Sequence, residues 1–141
     1  MALAPEIVRR LLRAVSSPPT RPVALRGRTG SGKTTLLREV AQRSARETLW
    51  STAFDLADEL SRSIREDRYE SYCEALVRDD RPLYVEHLED LRRKPHTQEA
   101  LGLLLGRAAT RRPILLTLTR TKGDAEVLAW LRARAEVFSL D

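Results

Sequence analysis

The chain has 141 residues, a formal net charge of +5 and a pI near 10.0, with 42% apolar but only 5% aromatic residues. This length predicts a single domain over residues 1–141, and the apolar content excludes a disordered or collagen-like chain. The net positive charge favours a polyanionic partner, although an arginine-rich composition can produce the same charge in a protein that has no such partner.

Membrane and secretory segments are not expected. The longest apolar runs, residues 101–105 and 114–118, are far shorter than the roughly 18 residues that a bilayer span requires. The N-terminus lacks a secretory signal pattern, and the single cysteine, Cys73, agrees with a reducing compartment. We therefore expect a cytoplasmic protein without a membrane helix.

Strand and helix patterns alternate along the chain. Apolar residues at helical spacing predict a helix that opens at Pro5, and a Pro/Ser linker over residues 16–22 follows it. The later predictions are strands over 23–25, 48–51, 82–85, 114–119 and 137–140, and helices over 35–45, 54–77 (one long or two short), 97–109 and 124–134. Thr97 is a candidate N-cap. This alternation predicts an α/β fold with a parallel five-stranded sheet, helices on both faces and a site beyond the carboxyl ends of the strands.

A glycine-rich loop directly follows the first predicted strand. Its residues, Gly27-Arg28-Thr29-Gly30-Ser31-Gly32-Lys33-Thr34, match G-x-x-x-x-G-K-[ST] in full. Glycines let backbone N–H groups turn inward around phosphate oxygens, at the positive end of the next helix. Lys33 is expected to reach the β- and γ-phosphates, and the Thr34 hydroxyl to bind the bridging Mg²⁺. The sequence therefore predicts a P-loop for ATP or ADP with Mg²⁺, to which we also assign Thr35.

Nucleotide hydrolysis needs a carboxylate at the end of a second strand and a group that activates water. Glu86 follows the strand over 82–85 and is the candidate acid on the Mg²⁺ side, so Thr34 and Glu86 are the candidate metal ligands. His87 stands where the water-activating acid is expected, and neutral histidine can act as a base. The alternative is that His87 merely caps the strand and hydrolysis is slow. Thr117 and Thr119 share one strand face and are candidate γ-phosphate sensors, or else face solvent.

Several of these residues together resemble the AAA+ ATPase domain of the bacterial replication initiator DnaA and of DnaA-related, Hda-like proteins. The P-loop continues as Thr-x-Leu-Leu over 34–37, an Arg-Asp pair (Arg78-Asp79) precedes the acidic strand, and residues 86–99 align without a gap with the family pattern that ends in Thr-Gln-Glu. Leu-Arg-x-Arg over 131–134 extends the resemblance along nearly the whole chain. The resemblance implies an ASCE-type P-loop NTPase with the strand order 5-1-4-3-2.

The chain departs from the family pattern at positions that matter for hydrolysis. Glu86-His87 replaces the family's acidic pair, and the family's finger arginine falls on Trp130, whereas Arg134 fits the second arginine of that pattern. Since the sequence ends just after the last predicted strand, we expect no helical lid, no helix-turn-helix and hence not a full initiator. The expected function is an ATP- or ADP-binding module of DNA replication or a related DNA transaction, with weak or absent intrinsic hydrolysis and a replication-related protein or AAA+ partner.

A basic cluster, formed by Arg92, Arg93, Lys94 and His96, follows the acidic strand. In the resembled family, cationic residues that flank this loop contact the DNA backbone, so the resemblance implies single-stranded DNA as a ligand here. The alternative is a solvated basic turn, because no aromatic residue is interleaved in the cluster to stack on bases. Two other functional classes stay open: a small P-loop kinase or phosphotransferase, and a non-catalytic scaffold with a vestigial P-loop.

Overall fold

A computed structural model of the chain describes residues 5–16 and 21–140. Helices and strands alternate through these ranges as the sequence predicts. The elements in chain order are α1 (Pro5–Ser16), β1 (Val23–Gly27), α2 (Lys33–Ser44), β2 (Leu49–Thr52), α3 (Ala53–Arg65), α4 (Tyr69–Arg78), β3 (Leu83–Glu86), a 3-10 helix (Leu88–Leu91), α5 (Pro95–Ala109), β4 (Ile114–Thr119), α6 (Ala125–Arg132) and β5 (Glu136–Ser139).

The five strands form one parallel sheet in the order β2-β3-β4-β1-β5. Because parallel neighbours cannot be joined by a tight turn, each connection crosses over through at least one helix. The register places Leu25 of β1 opposite Thr117 of β4, and Leu116 of β4 opposite Val85 of β3. The α/β fold with a five-stranded parallel sheet and the strand order implied by the resemblance are both confirmed.

Two apolar cores cover the two faces of the sheet. Successive strand residues point to opposite faces, so Leu115 packs with α1 and α2 whereas Leu116 packs with α3, α4, α5 and α6. On β3, Tyr84 and Val85 are divided between the two cores in the same way. Each fully buried Leu contributes about 1.5–3 kcal/mol to stability, and this double layer fixes the sheet whose carboxyl end carries the site.

The structure decides one alternative that the sequence left open and corrects one predicted helix start. The region 54–77 forms two short helices, because the chain turns between Arg65 and Tyr69 with Asp67 in a left-handed conformation at φ 55°. The prediction of Thr97 as an N-cap is wrong. Pro95 has the fixed φ that suits the first position of a helix, so α5 begins there with Lys94 at the N-cap position.

A cluster of charged groups ties the amino ends of the strands to the helices, and we call Arg46, Asp79, Arg81 and Arg112 the amino-end cluster. The Arg112 side chain is 1% exposed and donates hydrogen bonds to the carbonyl oxygens of Arg81 and Leu76 at 2.7 and 2.8 Å. Hydrogen bonds from Arg81, together with the nearby Arg112 charge, lower the pKa of Asp79 to about 2. Arg46 donates to the carbonyl oxygens of Val15 and Asp80 at 2.6 and 2.7 Å.

Among the described residues, none of the helices has both the length and the apolar character needed to cross a bilayer.

Candidate nucleotide-binding site

The glycine-rich loop lies between β1 and α2, and its backbone conformation requires glycine at specific positions. Gly30 and Gly32 have φ values of 83° and 96°, in the left-handed region that side chains disfavour. A Cβ at Gly27 would overlap the hydroxyl of Ser31. Since α2 begins at Lys33, the positive end of that helix faces the loop.

The Lys33 side chain folds back over the loop. Its Nζ donates to the carbonyl oxygens of Gly27 and Arg28, both at 2.8 Å, and the residue is 9% exposed. The Gly27 carbonyl also accepts the backbone N–H of Arg120 at 2.8 Å, which joins the loop to the end of β4. The lysine cation is therefore held against the loop, at the position where the sequence pattern predicts that phosphate binds.

Thr34 and Glu86 meet at the carboxyl end of the sheet. The Thr34 hydroxyl donates to Glu86 Oε1 at 2.7 Å. A hydroxyl and a carboxylate are hard oxygen ligands of the kind that Mg²⁺ prefers. The Ser31 hydroxyl, in the same loop, is buried without a hydrogen-bond partner among the described residues. The glycine cradle, the unpartnered hydroxyl and this oxygen pair together fit a Mg²⁺-nucleotide.

The chain turns sharply where β3 ends, because His87 adopts a left-handed conformation with φ 65°. The N–H of His87 donates to the hydroxyl of Thr117 at 3.1 Å, and Thr117 is 2% exposed, so the alternative that it faces solvent is excluded. The turn brings Glu89 back toward the strand ends. Its Oε1 accepts the N–H of Thr119 at 3.0 Å, and its Oε2 lies 3.1 Å from Nδ1 of His87.

Burial raises the pKa of Glu89, but the hydrogen bonds from Thr119 and His87 outweigh it, and the pKa lies below the usual glutamate range. Glu89 is therefore a carboxylate at neutral pH. Because a carboxylate can only accept, the Nδ1 that faces it carries the proton in this pair.

These residues enclose a cavity of about 280 Å³. It is lined by Thr29, Gly30, Gly32, Lys33, Thr34, Thr35, Glu86, His87, Thr117 and Thr119. Of the other predicted residues in the loop, Gly27 and Ser31 do not line the cavity, and Arg28 is exposed. Side chains predicted from three separate segments of the sequence thus face one space.

The basic cluster does not line this cavity, and all four of its residues are exposed. Arg92 reaches toward the loop after β4, where its guanidinium lies 3.5 Å from the carbonyl oxygen of Lys122. Arg93 has φ 62°, and its backbone N–H donates to Glu126 at 3.2 Å. The Lys94 ammonium lies 6.0 Å from the ring centroid of Phe54.

Solved structures show what the fold resembles. Domain III of the Thermotoga maritima replication initiation protein DnaA matches 100% of the chain with a TM-score of 0.75 at 16% identity, and 65% of that domain structure is covered. The fold is that of a DnaA-like AAA+ domain. A replication initiator DnaA bound to AMPPCP and single-stranded DNA matches 96% of the chain with a TM-score of 0.70 at 20% identity.

The DnaC helicase loader has a similar AAA+ fold, with a TM-score of 0.68 at 12% identity over 96% of the chain and 87% of the loader. The chain spans only 45% of the length of the initiator that carries AMPPCP and DNA. No protein-family model matches the sequence, and no curated protein matches it. The resemblance inferred from the sequence is thus confirmed at the level of the AAA+ fold.

In this AAA+ fold, the residue aligned with the finger arginine has a packing role. The indole of Trp130 is half-buried and donates to the carbonyl oxygen of Gln98 at 2.9 Å, which ties α6 to α5. The exposed Arg134 guanidinium lies over the indole, 5.5 Å from the ring centroid. A Cβ at Gly102 would come within 2.6 Å of Arg134, so this glycine makes room for the stacked arginine.

Two residues in this region were not singled out from the sequence. No spacing pattern in the sequence marks Glu89 as a site residue, because the place of its side chain in the fold depends on the left-handed turn at His87. The sequence pattern does mark Phe54, since this residue falls outside the apolar stripe of α3 that Ala53, Leu56 and Leu60 form. An aromatic residue on the polar side of a helix indicates a surface contact site, but Phe54 is about 40 residues before the basic cluster in the sequence.

Proposed function

We propose that the chain is an ATP- or ADP-binding AAA+ module of DNA replication or a related DNA transaction, with slow or absent intrinsic hydrolysis. One observation carries the proposal: a complete P-loop opens onto the cavity in which the Thr34 hydroxyl meets the Glu86 carboxylate at 2.7 Å. The replication role is supported by the fold shared with DnaA and with the DnaC helicase loader.

Different residues of the chain have different roles in the proposed nucleotide binding. When bound, a nucleoside triphosphate with Mg²⁺ supplies the phosphoanhydride bond and much of the charge neutralisation that its cleavage requires. Lys33 would turn from carbonyl oxygens of the loop to phosphate oxygens, and the loop N–H groups and the start of α2 would hold the remaining charge. Thr34 and Glu86 would hold the metal, and Thr119, which lines the same cavity, would contact the γ-phosphate.

Slow hydrolysis follows from the two departures from the family pattern. His87 provides an imidazole where a second carboxylate would activate water, and Trp130 provides a neutral indole, bound to the backbone of α5, where an arginine would provide a positive charge. A missing arginine finger alone lowers turnover by a factor of about 10³ or more. The module would therefore leave bound ATP largely uncleaved, and a partner would be needed for rapid turnover.

The test of nucleotide binding is the Lys33→Ala variant. We expect its affinity for ATP with Mg²⁺ to fall about tenfold or more, because charge-assisted hydrogen bonds contribute about 1.5–3 kcal/mol. Isothermal titration calorimetry measures the affinity, and circular dichroism checks the fold. Lys122→Ala is the control, since it removes an exposed lysine that does not line the cavity. Equal affinity in the wild type and the Lys33 variant contradicts the proposal.

A second candidate activity is binding of single-stranded DNA at the basic cluster. The observation that favours it is the exposure of all four residues on one turn, while the nearby acidic side chain of Glu126 is hydrogen-bonded to the backbone of that turn. The initiator with a similar fold is bound to single-stranded DNA. Phosphates attract such a cluster over long range, and counterion release strengthens the binding.

The double variant Arg93→Glu/Lys94→Glu tests this activity. We expect weaker binding of an unstructured oligonucleotide and a flatter dependence of log affinity on log salt, by about 0.7 for each phosphate that the variant no longer neutralises. Arg9→Glu/Arg13→Glu changes the net charge equally on the exposed side of α1 and serves as the control. If both double variants bind as the wild type does, with the same salt slope, the positive charge is a property of surface composition.

A further inference from the structure

We propose that Phe54 stacks on a nucleobase, so that the site beside the nucleotide cavity recognises the bases of a single strand as well as its phosphates. This inference rests on the proposed binding of single-stranded DNA at the basic cluster. It adds a residue from a different part of the chain and a different kind of contact.

Phe54 lies on the exposed side of α3. Ala53, Leu56 and Leu60 are buried in the core, whereas Phe54, in the first turn of the helix, is 59% exposed. Thr52 caps this turn through its side chain, which accepts the N–H of Asp55 at 3.1 Å. The ring is therefore carried by a capped helix end, on a fixed backbone, and it is not part of either core.

The order of the strands places this ring beside the cations. The segments that follow β2, β3 and β4 emerge at the same end of a parallel sheet, side by side in the order of the strands. Phe54 follows β2, the basic cluster follows β3, and Lys122 follows β4. Neighbouring strands lie about 4.8 Å apart. An aromatic ring, then the basic cluster and then Lys122 are thus arranged in a row along the carboxyl edge of the sheet.

Members of this row contact one another. Lys94 lies 6.0 Å from the centroid of the Phe54 ring, and the Arg92 guanidinium lies 3.5 Å from the carbonyl oxygen of Lys122. The Lys94 contact is at the outer limit of a cation–π interaction, so a base can reach the exposed ring while the ammonium contacts its phosphate. Asp55, next to Phe54 in the sequence, and Asp90, two residues before the basic cluster, are exposed carboxylates. Their charge repels a phosphate more than it repels an uncharged base.

An exposed aromatic side chain beside cations that can follow a phosphate backbone is the combination that binds single strands with little sequence preference. A base has an apolar face that matches the ring, and its phosphate matches Lys94. A double helix does not offer a free base face, because its bases are stacked on one another. The structure therefore favours a single strand over a duplex at this edge.

The experiment compares two short fluorescent oligonucleotides of equal length, an oligodeoxyadenylate and its fully abasic analogue, by fluorescence anisotropy with the full chain. The wild type should bind the oligodeoxyadenylate about fivefold or more tightly than the abasic analogue, as expected for one stacked base. Phe54→Ala and Phe54→Leu should lose this difference and keep the abasic affinity, and Phe54→Trp should retain it. Ile64→Ala is the matched control, since Ile64 lies on the same helix and is also 59% exposed.

The outcomes separate the stacking from the proposed DNA binding. If the wild type binds both oligonucleotides equally, DNA binding stands and the stacking is overturned. The stacking is also overturned if Phe54→Leu keeps the full preference for bases, because any apolar side chain would then suffice. If the wild type binds neither oligonucleotide, the proposed DNA binding fails, and the inference fails with it.

Discussion

Glu89 connects two strand ends that a nucleotide would contact. One carboxylate oxygen holds the backbone of Thr119 at the end of β4, and the other faces the ring of His87 after β3. The hydroxyl of Thr117 holds the backbone of His87 from the other side. A shift of any one of these groups must therefore move the others, which makes the geometry of this corner sensitive to single substitutions.

His87 is the residue at which a single change should alter turnover. We expect His87→Glu to raise the rate of ATP hydrolysis more than it changes nucleotide affinity, because a carboxylate at this strand end is the usual group that activates water. A steady-state phosphate-release assay gives the rate, and calorimetry gives the affinity. His96→Glu is the control, because it makes the same substitution at an exposed residue outside the cavity.

The baseline rate of the wild type is part of the same prediction. Turnover should be far below 1 s⁻¹ in the absence of a partner, since typical enzymes reach about 1–10³ s⁻¹. A wild-type rate of about 1 s⁻¹ or faster would show that the interpretation of His87 and Trp130 is wrong.

Among the helices, α4 is joined to the sheet region by one buried cation in addition to its apolar contacts. The Arg112 side chain donates to the carbonyl of Leu76, in the last turns of α4, and to that of Arg81, just before β3. Its second terminal nitrogen lies 3.8 Å from Asp79 Oδ1. Burial lowers the pKa of this guanidinium, but arginine keeps its charge in proteins. The cation thus holds the end of a helix and the starts of two strands together.

Removal of this cation should destabilise the protein strongly. Arg112→Ala leaves the two carbonyls without their side-chain donor and removes a cation from beside Asp79, so we expect the free energy of unfolding to fall by about 3 kcal/mol. Urea denaturation followed by circular dichroism measures this change. The adjacent Arg111 is exposed, so Arg111→Ala should stay within about 0.5 kcal/mol of the wild type. A decrease below about 1 kcal/mol for the Arg112 variant would mean that water replaces the guanidinium.

For the molecule as a whole, the sequence predicts those features that depend on local patterns. Alternating apolar segments indicate the parallel sheet, and the spacing of glycines and Lys33 indicates the phosphate loop. The contacts of Glu89 with Thr119 and of Lys94 with Phe54 join segments 30 and 40 residues apart. No periodic pattern in the sequence predicts these tertiary contacts, because they depend on a left-handed turn and on the order of the strands.

The two ends of the sheet also differ in what a substitution can change. The amino-end cluster holds helices to strands, whereas the carboxyl edge carries the glycine loop and the exposed basic cluster. Stability and the proposed ligand binding are therefore assigned to separate sets of residues. Substitutions at residues 92–96 can change what the surface binds while the fold stays stable. Substitutions at Asp79 or Arg112 lower the stability of the fold before they can produce a new activity. This separation makes the carboxyl edge the evolvable part of the molecule.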